Sequence, residues 1–132
     1  MRSLKVLLLE PHPYRLMNLH QMLNALGVYD VRVAETSDQA RGVLERRGPV
    51  DIVICDPLAP EFEGVAFIKH LAGRKHAGAL IILSGARRSV LEGVVDLIER
   101  WGLHVLGSLP TPANPKQLHG LLCQHREAIA MA

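Results

Sequence analysis

Cysteine is scarce in this chain: of 132 residues only Cys55 and Cys123 carry a thiol. They stand far apart, without the C-x-x-C spacing of a zinc ribbon or a dithiol redox centre. One falls in an apolar run and one in a helical stretch, and both read as buried thiols. The seven histidines, His12, His20, His70, His76, His104, His119 and His125, never stand at H-x-x-x-H spacing, so no helical face offers zinc a pair of imidazoles. Charge of one sign is lacking too, the formal net charge being +2. The doublets Arg46-Arg47, Arg74-Lys75 and Arg87-Arg88 are scattered near element ends and read as solvated corners, not as a nucleic-acid footprint. The apolar run near the amino end, Val6 to Leu9, stops at Glu10 and Pro11, too short for a signal peptide or a membrane span. No membrane contact is expected, and the expected compartment is the cytoplasm. The first loop, "EPHPY", contains no glycine, which excludes a P-loop or dinucleotide fingerprint there and disfavours FMN.

What the chain does contain is alternation. Its length and its composition, 48% hydrophobic and 21% charged, suit one domain around one core. "LKVLLLE", Leu4 to Glu10, reads as a short buried strand ended by Pro11. From Tyr14 to Leu26 the residues Leu16, Met17, Leu19, Met22, Leu23 and Leu26 recur at helical spacing, and Gly27 stops them. "DVRVAE" alternates Val31 and Val33, a strand with one wetter face. Thr36 and Gln39 then make a T-x-x-Q capping box for a helix to Arg47. "DIVICD" is a third strand, followed by a helix carrying Val65, Phe67, Ile68 and Leu71. "ALIILS" is a fourth, followed by a helix from about Ser89 to Trp101 with Val90, Leu91, Val94, Leu97, Ile98 and Trp101 on one face. "HVLGSL" is a fifth strand, and Asn114 as N-cap with Pro115 at the first helical position opens a last amphipathic helix.

Five strands alternating with five helices imply an α/β fold: a doubly wound five-stranded parallel sheet covered on both faces, in one domain over residues 1–132. The order 2-1-3-4-5 places the switch point between strands 1 and 3, whose carboxyl ends carry Glu10 and Asp56. Four loops meet at that edge and supply Glu10, Pro11 and His12, then Asp56, then Ser84 and Gly85, then Thr111 and Pro112. A carboxylate pair there suits a hard cation. Taken alone, Asp56 also reads as a plain turn residue, because Asp and Pro commonly open loops. Ser84 and His12 make a poor nucleophile and base, since a hydroxyl at a strand end usually satisfies loop backbone. The chain is therefore not expected to be an enzyme. Trp101 reads either as core or as a partner contact.

"VLLLEPHP", "DIVICDPLAPEFEG", "LIILSG" and "PTPANPKQL" fall in the order and at the spacings of the receiver domains of two-component response regulators. Over essentially its whole length the chain resembles that CheY-like, flavodoxin-like family. The resemblance implies that Asp56 is the phospho-acceptor, that Ser84 contacts the incoming phosphoryl group, and that Glu10, Asp56 and a loop carbonyl, at Leu58, hold Mg²⁺. Pro60 and Gly64 match the turn of the acceptor loop. It also implies a sensor histidine kinase or phosphotransfer protein as the source of phosphate. "GLHVLGSLPTP" resembles the strand-5 region of receivers that precede cyclic-di-GMP phosphodiesterase (EAL) domains, which makes such an output domain an expected partner.

Three positions depart from the family pattern. Pro11 stands where a second acid is usual and cannot ligate a cation. Thr111 precedes Pro112 where a lysine is usual, which removes the ammonium that would pair with a phosphorylated Asp56. Ser108 stands where an aromatic side chain usually swings. Each lost preorganised contact costs about 2.7–4 kcal/mol on the scale of an oxyanion-hole donor. The leading reading is a signalling receiver with a degenerate phosphorylation site and weak or absent Mg²⁺, acting by partner binding or by self-association through the fourth helix, strand 5 and the last helix. A conventional receiver, phosphorylated on Asp56 in a Mg²⁺-dependent manner, is the alternative. A small enzyme or cofactor carrier on the same fold is a third, disfavoured reading.

Overall fold

Apolar runs bounded by proline, glycine and acids become strands, and the stretches with helical spacing between them become helices. A computed structural model describes residues 4–61 and 63–131. The elements alternate without exception: β1 (Lys5–Leu9), α1 (Pro13–Ala25), β2 (Asp30–Ala34), α2 (Ser37–Arg47), β3 (Val50–Cys55), α3 (Gly64–Arg74), β4 (Ala77–Leu83), α4 (Arg88–Arg100), β5 (His104–Leu109) and α5 (Pro115–Met131). All strand pairs are parallel, in the order β2-β1-β3-β4-β5. That is the doubly wound α/β sheet the sequence implies.

The central strands are buried because helices cover both faces. On one face Leu7, Val53, Leu80 and Ile82 pack with Leu44 of α2, Phe67 and Leu71 of α3 and Ile98 of α4. On the other, Val6, Leu8, Ile54 and Ile81 pack with Leu19 and Leu23 of α1 and Leu118 of α5. Each such side chain, taken fully out of water, contributes about 1.5–3 kcal/mol. Helix starts follow side-chain chemistry. Thr36 Oγ1 accepts from the Gln39 N–H at 3.1 Å, while the Gln39 side chain accepts from the Glu35 N–H at 2.9 Å, one residue outside a standard capping box. Asn114 Oδ1 accepts from the N–H groups of Lys116 and Gln117 at 2.8 and 3.2 Å. Among the described residues no helix is long and apolar enough to cross a membrane.

Three local expectations need correction. In β2 the alternation is inverted: Arg32 is 6% exposed, Val33 is 42% exposed, and Val31 is half-buried. The Arg32 guanidinium reaches the carboxyl end of α2, donating to the carbonyls of Arg47 and Gly48 at 3.3 Å each, with Asp30 3.5 Å from its Nε. Free helix carbonyls and a neighbouring carboxylate offset the cost of burying this cation. In α4 only Ile98 is buried; Leu91, Val94, Val95 and Trp101 are partly buried against the core, and Val90 and Leu97 stay exposed. Cys55 is buried, but Cys123 is half-exposed, with its sulfur 3.5 Å from His119 Nε2.

Candidate functional site

Parallel strands deliver their last residues to one edge. Leu8 pairs with Ile54, and Cys55 with Ile82. Glu10 and Asp56 therefore leave neighbouring strands at the same level, and Ser84 leaves the next strand one residue further out. With strands about 4.8 Å apart, the three residues share one small patch of the carboxyl edge. Leu83 pairs with Leu109, which brings Thr111 alongside Gly85.

Asp56 is half-buried at the start of its loop. Its Oδ1 accepts from the Leu58 N–H at 2.9 Å and its carbonyl from the Ala59 N–H at 3.2 Å, so the turn holds the carboxylate in place. The loop closes where Gly64 begins α3 against Pro57. A Cβ on Gly64 would stand 2.7 Å from Pro57 Cα, a space that only glycine leaves open. Cys55, just inside the strand, is buried. That burial, with the Asp56 carboxylate adding to it, pushes the thiol far above its ordinary range, so it serves as an apolar spacer and not as a nucleophile.

Glu10 folds back on its own loop, its Oε2 accepting from the His12 N–H at 3.2 Å. His12 Nε2 lies 3.2 Å from Glu61 Oε1 and so ties the loop after β1 to the loop after β3. Ser84 is buried. Its N–H donates to the Leu109 carbonyl at 3.0 Å and its Oγ accepts from the Ala86 N–H at 3.1 Å. Thr111 Oγ1 lies 3.6 Å from the point where a Cβ on Gly85 would stand, and the Thr111–Pro112 peptide is cis. Leu58 is exposed, and Pro11, half-buried beside Glu10, brings no donor or ligand. Ser108 is exposed on β5 in a shallow cavity of about 260 Å³ under Leu91 and Val95 of α4. A larger cavity of about 590 Å³ opens between α1 and the loop after β5, with Glu10, Arg15, Met22 and Thr111 on its walls.

Among the described residues no group of three or more His, Cys, Asp or Glu side chains could hold a metal. Glu10 and Asp56 each use one carboxylate oxygen in the bonds above and keep the other. The carboxylates of Glu10 and Asp56 are hard oxygen donors, the kind that Mg²⁺ takes. Glu61 and Arg15 are not singled out by the sequence. Their places depend on how the loop after β3 folds and how α1 is rotated, neither of which has a spacing signature.

The response regulator receiver domain family model matches residues 6–119. The cyclic di-GMP phosphodiesterase RocR of Pseudomonas aeruginosa is 31% identical over 128 residues, which are 95% of this chain and 32% of that protein. The chain thus spans about a third of that relative's length. The signal receiver domain of an HD domain-containing protein from Pseudomonas fluorescens superposes with a TM-score of 0.80 at 23% identity, covering 99% of this chain and 100% of the other. A response regulator from Colwellia psychrerythraea gives 0.77 at 21% identity, covering 96% and 99%.

Proposed function

This chain belongs to the response regulator receiver domain family, and we propose that within it the chain is a receiver with a degenerate phosphorylation site, signalling mainly by partner binding or self-association. The observation that carries this reading is Thr111. The side chain bordering the Ser84–Gly85 turn is a neutral hydroxyl, where an ammonium would be needed to meet a phosphorylated Asp56.

In ordinary receiver chemistry an Asp56 oxygen would bond to phosphorus as the phosphorus–nitrogen bond of a phosphohistidine breaks and the imidazole leaves with a proton. Glu10, Asp56 and the Leu58 carbonyl would hold Mg²⁺, which supplies neutralising charge. The Leu58 N–H, which donates to Asp56 Oδ1, would hold that carboxylate in place during the attack. The Ser84 hydroxyl proton is free to point at a phosphoryl oxygen, because its oxygen already accepts from Ala86. Pro11 and Thr111 weaken the rest of the cradle by about 2.7–4 kcal/mol each, or roughly a hundredfold to a thousandfold in rate per contact. A kinase or phosphotransfer protein remains the donor in the conventional alternative. That alternative is favoured by the common level of Glu10 and Asp56 on β1 and β3. The likeness to RocR supports a cyclic-di-GMP phosphodiesterase type of output domain as the partner, and the cleft at Ser108 between α4 and β5 supports that face as the contact surface.

The test is covalent mass gain with a small phosphodonor and Mg²⁺. Wild type should acquire phosphate slowly, and the Pro11→Asp, Thr111→Lys double variant much faster. Equal rates would return the chain to the conventional class.

A further inference from the structure

The cavity between α1 and the loop after β5 plays no part in the phosphorylation chemistry. It shares Glu10 and Thr111 with the acceptor edge, but neither Asp56 nor Ser84 lines it. Its volume of about 590 Å³ falls within the range of roughly 300–1,000 Å³ that holds small organic ligands. One face of α1 forms its long wall. Arg15, Leu19, Met22 and Leu26 recur there three or four residues apart, a run of roughly 16 Å at 1.5 Å per residue. Leu83 at the end of β4, with Pro112 and Ala113, closes the other side. Leu19 and Leu83 are buried, whereas Met22, Leu26 and Ala113 are only partly covered by the core. An elongated apolar body would take their remaining surface out of water.

The charges select the head group of such a body. Among the described residues two charged side chains line the cavity, Glu10 and Arg15, and both stand at the end where α1 begins. Glu10 already accepts from the His12 N–H. Arg15 is exposed and has no hydrogen-bond or ion-pair partner among the described residues. Helical side chains lean toward the helix start, which carries its guanidinium toward that same end. A cationic head would be repelled by Arg15 and a dianion by Glu10, so a monoanion fits best. The Asn18 amide, also on the cavity wall one turn further along α1, adds a donor for its oxygens.

We propose that this cavity binds a small amphipathic monocarboxylate, with its head group on Arg15 and Asn18 and its hydrocarbon along Leu19, Met22 and Leu26. A bound acid joins α1 to the loop that carries Thr111. It gives the receiver an input that does not pass through Asp56, so the site stands whether or not Asp56 is phosphorylated well.

Amide spectra of the isotopically labelled whole chain, titrated with octanoate and separately with octylammonium, test this with one tail and two head groups. Octanoate should shift the signals of residues 15–26 and 111–115 and bind at least about fivefold tighter than octylammonium. Arg15→Gln should weaken octanoate about fivefold and abolish that preference. Ala25→Phe, at an exposed helix position on the cavity wall, should weaken both compounds at least about tenfold by filling the apolar end. Both substitutions fall at exposed positions, and the same spectra report whether each variant is folded. The proposal is overturned by an absence of shifts in those residues at millimolar octanoate, by equal binding of octylammonium, or by unchanged affinity in Ala25→Phe. Shifts centred on the exposed Val90 and Leu97 of α4 would overturn it as a general response to a surfactant. Shifts in α1 that follow protein concentration and not octanoate would make the cavity an interface between two copies, and overturn it as well.

Discussion

Replacing Gly64 by alanine tests whether the acceptor loop and α3 meet as tightly as the structure has them. The new Cβ would stand 2.7 Å from both Cα and C of Pro57 and closer still to its carbonyl oxygen. Carbon atoms in ordinary contact stand about 3.5–4.0 Å apart, so the Pro57 backbone or the first turn of α3 must move by about 1 Å. Neither neighbour is a flexible side chain that can swing aside. Overpacking of this kind costs about 1–3 kcal/mol, and a purely backbone clash belongs near the upper end. For a chain of this length that is roughly an 8–12 °C fall in Tm. Gly73, in the same helix, has nothing within 4 Å of its added Cβ, so Gly73→Ala should stabilise by up to about 1 kcal/mol through helix propensity alone. Thermal and urea unfolding of the two variants, read by circular dichroism, should give shifts of opposite sign. A Gly64→Ala protein that melts with wild type would refute the packing described here, and with it the explanation for glycine at this turn.

Other outcomes follow from the same geometry. Pro11→Asp adds a carboxylate beside Glu10 and should tighten Mg²⁺ binding about tenfold, or 1.4 kcal/mol, by calorimetry; equal affinities would mean that another group already completes the site. A thiol reagent should modify Cys123 in the native protein and reach Cys55 only after denaturant is added, because Cys55 is buried and its thiol is held neutral. Rapid native labelling of Cys55 would show that the core beside Asp56 opens readily.

Much of the fold is legible in the sequence because parallel central strands must be apolar on both faces and must be joined by helices. "HVLGSL" becomes β5 over His104–Leu109, and Asn114 and Pro115 open α5 as their chemistry requires. The edge strand is less legible. Val31 and Val33 suggest the buried face of β2, yet Arg32 occupies the core side, because a helix end 15 residues on supplies carbonyls for its guanidinium. Such a rescue has no local signature. Likewise the apolar residues of α4 outnumber the positions its core-facing side can bury, which leaves Val90 and Leu97 in water. At the site, Glu10, Asp56 and Ser84 can be placed from topology alone, since each follows the end of a parallel strand. The His12 to Glu61 contact and the cavity between α1 and the loop after β5 depend on how separate elements are rotated against each other, and spacing along the chain does not encode that.

The central claim is that phosphorylation contributes little to the output of this receiver. A modification shifts a conformational equilibrium only by its differential interaction with the two states, and Thr111 and Ser108 offer a phosphorylated Asp56 neither a cation nor a bulky lever. The most direct test is the self-association constant of the chain, measured by sedimentation equilibrium for wild type and Asp56→Asn with and without Mg²⁺ and phosphodonor. The predicted result is nearly the same constant in all four conditions. A tightening of about tenfold or more, 1.4 kcal/mol of coupling, seen only for wild type with phosphodonor, would contradict the account.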